Sequence, residues 1–123
     1  MTVNDKTPPL TLEQERAQHA WKKAQEGVIS KGSAYINLAK GLPALIMNSG
    51  LMQTMAFLEE KGKEHALLGK QLRAWLHERY KIPEEFPAFM EHLLEADPRT
   101  FQDINREAMA WLKWLRQLAA AQD

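Results

Sequence analysis

Apolar side chains recur along this chain at intervals of three and four residues, and no stretch alternates apolar with polar at every second position. That spacing is the period of an α-helix, not of a strand, so the expected fold class is all-α. The C-terminal stretch shows it best. Phe101, Ile104, Ala108, Trp111, Leu112, Leu115, Leu118 and Ala119 fall within about a third of the circumference at roughly 100° per residue. Gln102, Arg106, Lys113 and Gln117 take the opposite face, and Met109 and Trp114 sit off the stripe.

Boundary signals divide the rest of the chain. Thr11 followed by Gln14 has the form of a capping box and opens a first helix. Its apolar stripe reads as Ala17, Trp21, Ala24 and Val28, with Gly27 and Gly32 bracketing its end. Ser33 is placed as the N-cap of a short helix that Gly41 stops, and Pro43 suits the first turn of the next, Leu42 to Met47. An Asn48-Ser49-Gly50 turn leads to Leu51–Leu58. Both of these elements are apolar on nearly every face, as in helices central to a core or pressed against a neighbour.

Gly62 ends that segment. Leu68, Leu72, Trp75 and Leu76 line the following helix, with Lys70, Arg73 and Glu78 away from that face. Pro83 and Pro87 interrupt, and Phe86, Phe89, Met90 and Leu93 form a short amphipathic helix. Asp97-Pro98 marks the start of the last one, with Thr100 and Asp103 as an alternative cap pair. The expectation is a compact single-domain bundle of six or seven helices with short loops over residues 10–123, after a flexible tail at 1–9.

A chain of 123 residues can bury about two-thirds of its unfolded surface, which suffices for one core. It has no cysteine, so disulfides, zinc–thiolate sites and iron–sulfur clusters are excluded. MTVNDKTPPL lacks the basic-then-apolar order of a signal peptide. The best apolar run, Leu42 to Leu58, is broken by Asn48, Ser49 and Gly50 and falls short of the ~20 residues a membrane span needs. A cytoplasmic protein without membrane contact is expected. Lys plus Arg and Asp plus Glu both total 16, so nucleic acid could be held only by a local basic patch.

Catalysis requires groups that converge, and the sequence offers none. His19, His65, His77 and His92 fit no HExxH pattern and no shared i, i+4 face, so no metal site is expected. The carboxylate doublets Glu59-Glu60 and Glu84-Glu85 stand at helix ends, where charge is solvated. Ser49-Gly50 lacks the strand and GxSxG context of a nucleophile elbow, and the six glycines are scattered singly. A well-defined polar cleft with converging ionisable side chains would overturn this reading. Met47, Met52, Met55, Met90 and Met109 read as core fillers in the main. Of the tryptophans, Trp21, Trp75 and Trp111 lie on core stripes, whereas Trp114 is either core margin or interface anchor.

Residues 42–58, LPALIMNSGLMQTMAFL, are more specific. Leu42, Pro43, Ile46, Gly50, Leu51, Gln53, Thr54, Ala56, Phe57 and Leu58 occur in the order of a known signature: a leucine-proline pair, an aliphatic run, glycine-leucine, glutamine-threonine and Ala-Phe-Leu. Glu107, Ala108, Leu112, Trp114, Leu115, Arg116 and Ala119 add a C-terminal pattern. In these the chain resembles the small helical subunit of the type III-B CRISPR effector, the Cmr complex. Lys113 and Met47-Asn48-Ser49 depart from the pattern.

The resemblance implies a non-catalytic subunit of a ribonucleoprotein complex in antiviral defence, without cofactor or small-molecule substrate. Its partners would be copies of itself in a head-to-tail stack, the backbone subunit and other Cmr subunits, and the guide RNA and target RNA. Cleavage would belong to other subunits. Lys61, Lys63, Lys113 and Arg116 are then the RNA-contact candidates, acting on phosphates because the guide already supplies sequence. Met109 and Trp114 are the protein-interface candidates. The alternatives are a scaffold subunit without RNA contact, or an unrelated helical protein–protein adaptor.

Overall fold

A computed structural model describes residues 8–122. It contains six helices and, among the described residues, no strand: α1 Leu12–Lys31, α2 Ser33–Ser49, α3 Leu51–Lys61, α4 Lys63–Tyr80, α5 Phe86–Glu95 and α6 Pro98–Ala121. Most of the expected tail lies outside the described residues; Pro8 and Pro9 precede α1 and are exposed.

The long C-terminal helix is the spine. α1 packs along it most extensively and α2 next, while α3 pairs with α4 and α4 also meets α1, α2 and α6. Ile104, Ala108, Trp111, Leu112, Leu115 and Ala119 are buried, which is the stripe read from the sequence. Each large side chain so buried contributes about 1.5–3 kcal/mol. Asp97 caps α6 by accepting from the Thr100 backbone N–H at 2.9 Å, so the boundary sits at Asp97-Pro98 and not at Thr100. The α1 capping box forms as expected: Gln14 N–H donates to Thr11 Oγ1 at 3.1 Å, and Thr11 N–H donates to Gln14 Oε1 at 2.8 Å.

The structure departs from six local expectations. The two short helices expected on either side of Gly41 are one helix, α2, which runs through Gly41 and Pro43. Proline inside a helix removes a hydrogen bond and costs ~3 kcal/mol or more, but α2 buries Tyr35, Ile36, Ala39, Leu42 and Ile46 along one continuous face. That burial overrides the local breakers. Gly32 at φ 59° precedes α2 in place of a Ser33 cap, and Gly50 alone, at φ 84°, makes the α2–α3 turn. Asn48 and Ser49 remain helical. Pro87 lies in the first turn of α5 and does not interrupt it.

Trp21 is not a core residue; it is 44% exposed. The buried residues of α1 are Ala20, Ala24 and Gly27; of the expected stripe, Ala24 is buried, Ala17 and Val28 are half-buried, and Trp21 alone is exposed. Gly27 lets α1 approach Tyr35 closely. A Cβ there would collide with the Tyr35 ring, which is fully buried and donates its hydroxyl to Gln71 Oε1. Finally, Arg73 is buried, not solvated. Its Nε donates to the Glu84 carbonyl at 2.7 Å and its Nη1 pairs with Glu59 at 3.2 Å.

Candidate interaction surfaces

Glu107 lies on the apolar stripe of α6, three residues after Ile104 and four before Trp111, and is 4% exposed. A carboxylate in that position needs partners. Arg16 on α1 supplies two, with Nε at 2.6 Å and Nη2 at 2.8 Å. Trp75 on α4 donates its indole N–H at 3.1 Å, and Arg79 stands 3.9 Å away. The hydrogen bond to Glu107 is the main reason the Arg16 guanidinium is held above its ordinary pKa. Three helices are thus tied together at one buried anion.

This clamp forms the floor of a groove between α1 and α6. One part, about 650 Å³, is lined by Leu12, Arg16, Arg79, Tyr80, Met109 and Lys113 among others. An adjoining part, about 480 Å³, is lined by Glu13, Arg16, Ala110, Lys113, Trp114 and Gln117. The structure therefore brings three of the sequence candidates together: Met109, Lys113 and Trp114 share one surface. Met109 and Trp114 are half-buried and packed against the core margin, and Lys113 is exposed between them.

The remaining candidates lie elsewhere. Arg116 is exposed on α6 but lines neither part of the groove. Lys61 and Lys63 flank Gly62 at the α3–α4 turn, both exposed, with Lys61 Nζ 5.9 Å from the centre of the Phe57 ring. Of the signature residues, Leu42, Leu51 and Thr54 are buried, Pro43 and Phe57 are half-buried, and Gln53 is exposed. Thr54 Oγ1 has no hydrogen-bond partner among the described residues.

A polar cleft of about 330 Å³ also opens between α1 and α4, lined by Glu15, Gln18, His19, Lys22, Lys23, Trp75 and Glu78. Its ionisable groups converge, which the sequence did not lead us to expect. The chemistry they offer is limited. No hydroxyl or thiol lines the cleft, and His19 is pushed down to about 4 by burial, then by Lys23 and Lys22. A base with that pKa is weak at neutral pH. Among the described residues, no group of three or more His, Asp or Glu side chains could hold a metal ion, and no helix is long and apolar enough to cross a membrane.

The Glu107 clamp and the His19 cleft were both missed in the sequence. The one signal for the clamp was the placement of Glu107 inside the cleanest apolar stripe; a charged residue there implies a buried partner.

Residues 12–122 match the family described as CRISPR-associated protein (Cas_Cmr5). The chain is 32% identical over 113 residues to the CRISPR system Cmr subunit Cmr5 of Thermus thermophilus, covering 90% of this chain and 95% of that one. It is 31% identical over 112 residues to the protein of the same description from Thermotoga maritima, covering 87% and 81%. The crystal structure of a CRISPR-associated Cmr5 family protein from Thermus thermophilus superposes with a TM-score of 0.79. The two are 29% identical, and the match covers 92% of this chain and 97% of that one.

Proposed function

Because the chain belongs to the Cmr5 family of CRISPR-associated proteins, we propose that it is a non-catalytic subunit of a Cmr complex. Copies of it stack in that complex and help hold target RNA paired with the guide. The observation that carries this reading is the α1–α6 groove, in which the cation Lys113 stands between Met109 and the half-buried Trp114. Half-buried aromatic and methionine side chains beside a basic residue suit protein contact, and exposed lysines suit phosphates. The weak base that the α1–α4 cleft offers, with no hydroxyl or thiol among the residues lining it, supports a division of labour in which other subunits cut.

One observation favours the scaffold reading. Most cations near the groove are already engaged within the chain: Arg16 and Arg79 by Glu107, and Arg106 by Asp103 at 3.2 Å. Lys113 is left to meet a phosphate, together with Lys61, Lys63 and Arg116 outside the groove.

The test is a Cmr complex reconstituted with this chain carrying Lys61→Ala, Lys63→Ala, Lys113→Ala and Arg116→Ala. Each phosphate that the chain no longer neutralises lowers the slope of log affinity against log salt by about 0.7–0.9. A flattened slope supports RNA contact. An unchanged slope in fully assembled complexes replaces it with the scaffold role.

A further inference from the structure

His19 on α1 is wedged between two tryptophans that come from different helices. Its ring centre is 5.1 Å from that of Trp75 and 5.6 Å from that of Trp111. The Trp111 indole N–H donates to His19 Nδ1 at 3.0 Å. An indole nitrogen can only donate, so Nδ1 carries no proton and the imidazole is the neutral Nε2–H tautomer. Nε2 stands 3.5 Å from a carboxylate oxygen of Glu78, which is largely exposed.

We propose that the Trp111–His19 hydrogen bond is an acid-sensitive latch that holds α1 onto α6 and opens when Nδ1 takes up a proton. Protonation turns the acceptor into a second donor facing the indole N–H. Either the ring turns or α1 shifts, and the Trp111 N–H is left unpaired in the core. The charged groups around the imidazole are few. α1 brings Glu15, Lys22 and Lys23 to the cleft, and α4 brings Glu78. On α6 the carboxylate of this seam, Glu107, is engaged by Arg16 and Trp75. Lys40, the one charged residue of α2, is exposed.

Burial and the two lysines keep the latch closed at neutral pH by holding His19 at about 4. The sign follows from linkage. The unfolded imidazole takes its proton near 6.5, the folded one only near 4, so stability is full above pH 6.5 and is lost progressively as pH falls toward 4. α1 also supplies Glu13 and Arg16 to the groove, so the latch sets the position of one groove wall; this last link rests on the groove reading.

The experiment is a titration of the full chain, labelled with ¹⁵N-tryptophan, in which the indole N–H resonances and the His19 ring signals are followed together. The Trp111 resonance should move with the midpoint of His19, near pH 4, while Trp21 stays constant. In His19→Gln the amide oxygen can still accept from Trp111 but cannot titrate, and the movement should vanish. An identical movement in that variant overturns the latch. Should the variant fail to fold, Trp111→Phe decides, because removing the donor that favours a bare Nδ1 must raise the His19 midpoint by about half a pH unit or more. An unchanged midpoint overturns the proposal equally. Neither readout involves RNA or a partner, so failure of the latch is distinct from failure of the proposed function.

Discussion

Replacing Glu107 by alanine should be among the most damaging single substitutions in this chain. The carboxylate is 4% exposed and accepts from Arg16 twice and from Trp75 once. Its removal leaves a guanidinium without its counter-ion and an indole N–H without an acceptor. Breaking one side of a buried pair costs ~3–5 kcal/mol, and a stranded N–H adds ~1–3; because they share one carboxylate, the two overlap and do not add. We expect a total of about 3–5 kcal/mol, with Tm lower by about 10–20 °C for a chain of this size. Glu107→Gln keeps an acceptor for Trp75 and should cost less. Arg16→Ala should cost least, about 1–2 kcal/mol, because the buried Glu107 carboxylate still accepts from Trp75 and keeps Arg79 as a counter-charge 3.9 Å away. Urea unfolding at pH 7 of the three variants measures the order directly. A cost for Glu107→Ala within about 0.5 kcal/mol of wild type, or one smaller than that of Arg16→Ala, refutes the reasoning.

Three further outcomes follow from packing. Gly27→Ala should destabilise by about 1–3 kcal/mol in thermal melts, because the new methyl meets the Tyr35 ring, which its hydrogen bond to Gln71 holds in place. Thr54→Val should be neutral or stabilising by up to about 1 kcal/mol in chemical unfolding, since it removes a buried hydroxyl that has no partner among the described residues. Trp114→Ala should cost the isolated chain about 1–2 kcal/mol, less than the ~3–5 of a fully buried tryptophan, yet impair its incorporation when Cmr subunits are mixed and sized. A full core-type loss with normal incorporation would move Trp114 from interface to core.

What could be read from the sequence depended on how strongly each segment is patterned. α6 was legible along its whole length because its apolar stripe recurs over the full helix with Glu107 as its one charged member, and its Asp97-Pro98 start carries a cap that the structure uses. α2 was not, because Gly41 and Pro43 are local stop signals, and only the burial of Ile36, Ala39, Leu42 and Ile46 against neighbours overrides them. α1 was legible in part: Ala24 is buried as its spacing implies, but Trp21 is not. Trp21 is the largest apolar residue of that helix and drew the stripe toward itself, whereas the buried residues are Ala20, Ala24 and Gly27, which side-chain size alone does not reveal. The polar contacts were illegible for a different reason. Arg16 and Glu107 are 91 positions apart, and His19 and Trp111 are 92, so nothing local signals either pair. The candidate surface was partly legible: Met109 and Trp114 were singled out for lying off the α6 stripe, and they share a groove with Lys113.

In the proposed role, the outward face of α6 and the α3–α4 turn contact RNA, and the buried polar seam does not. Photocrosslinking of an assembled complex to labelled target RNA, with the attached peptides of this chain mapped, tests it most directly. Attachment within residues 61–63 and 109–117 is the result expected. Attachment confined to α2 or α5, or none to this chain while neighbouring subunits are labelled, would contradict it.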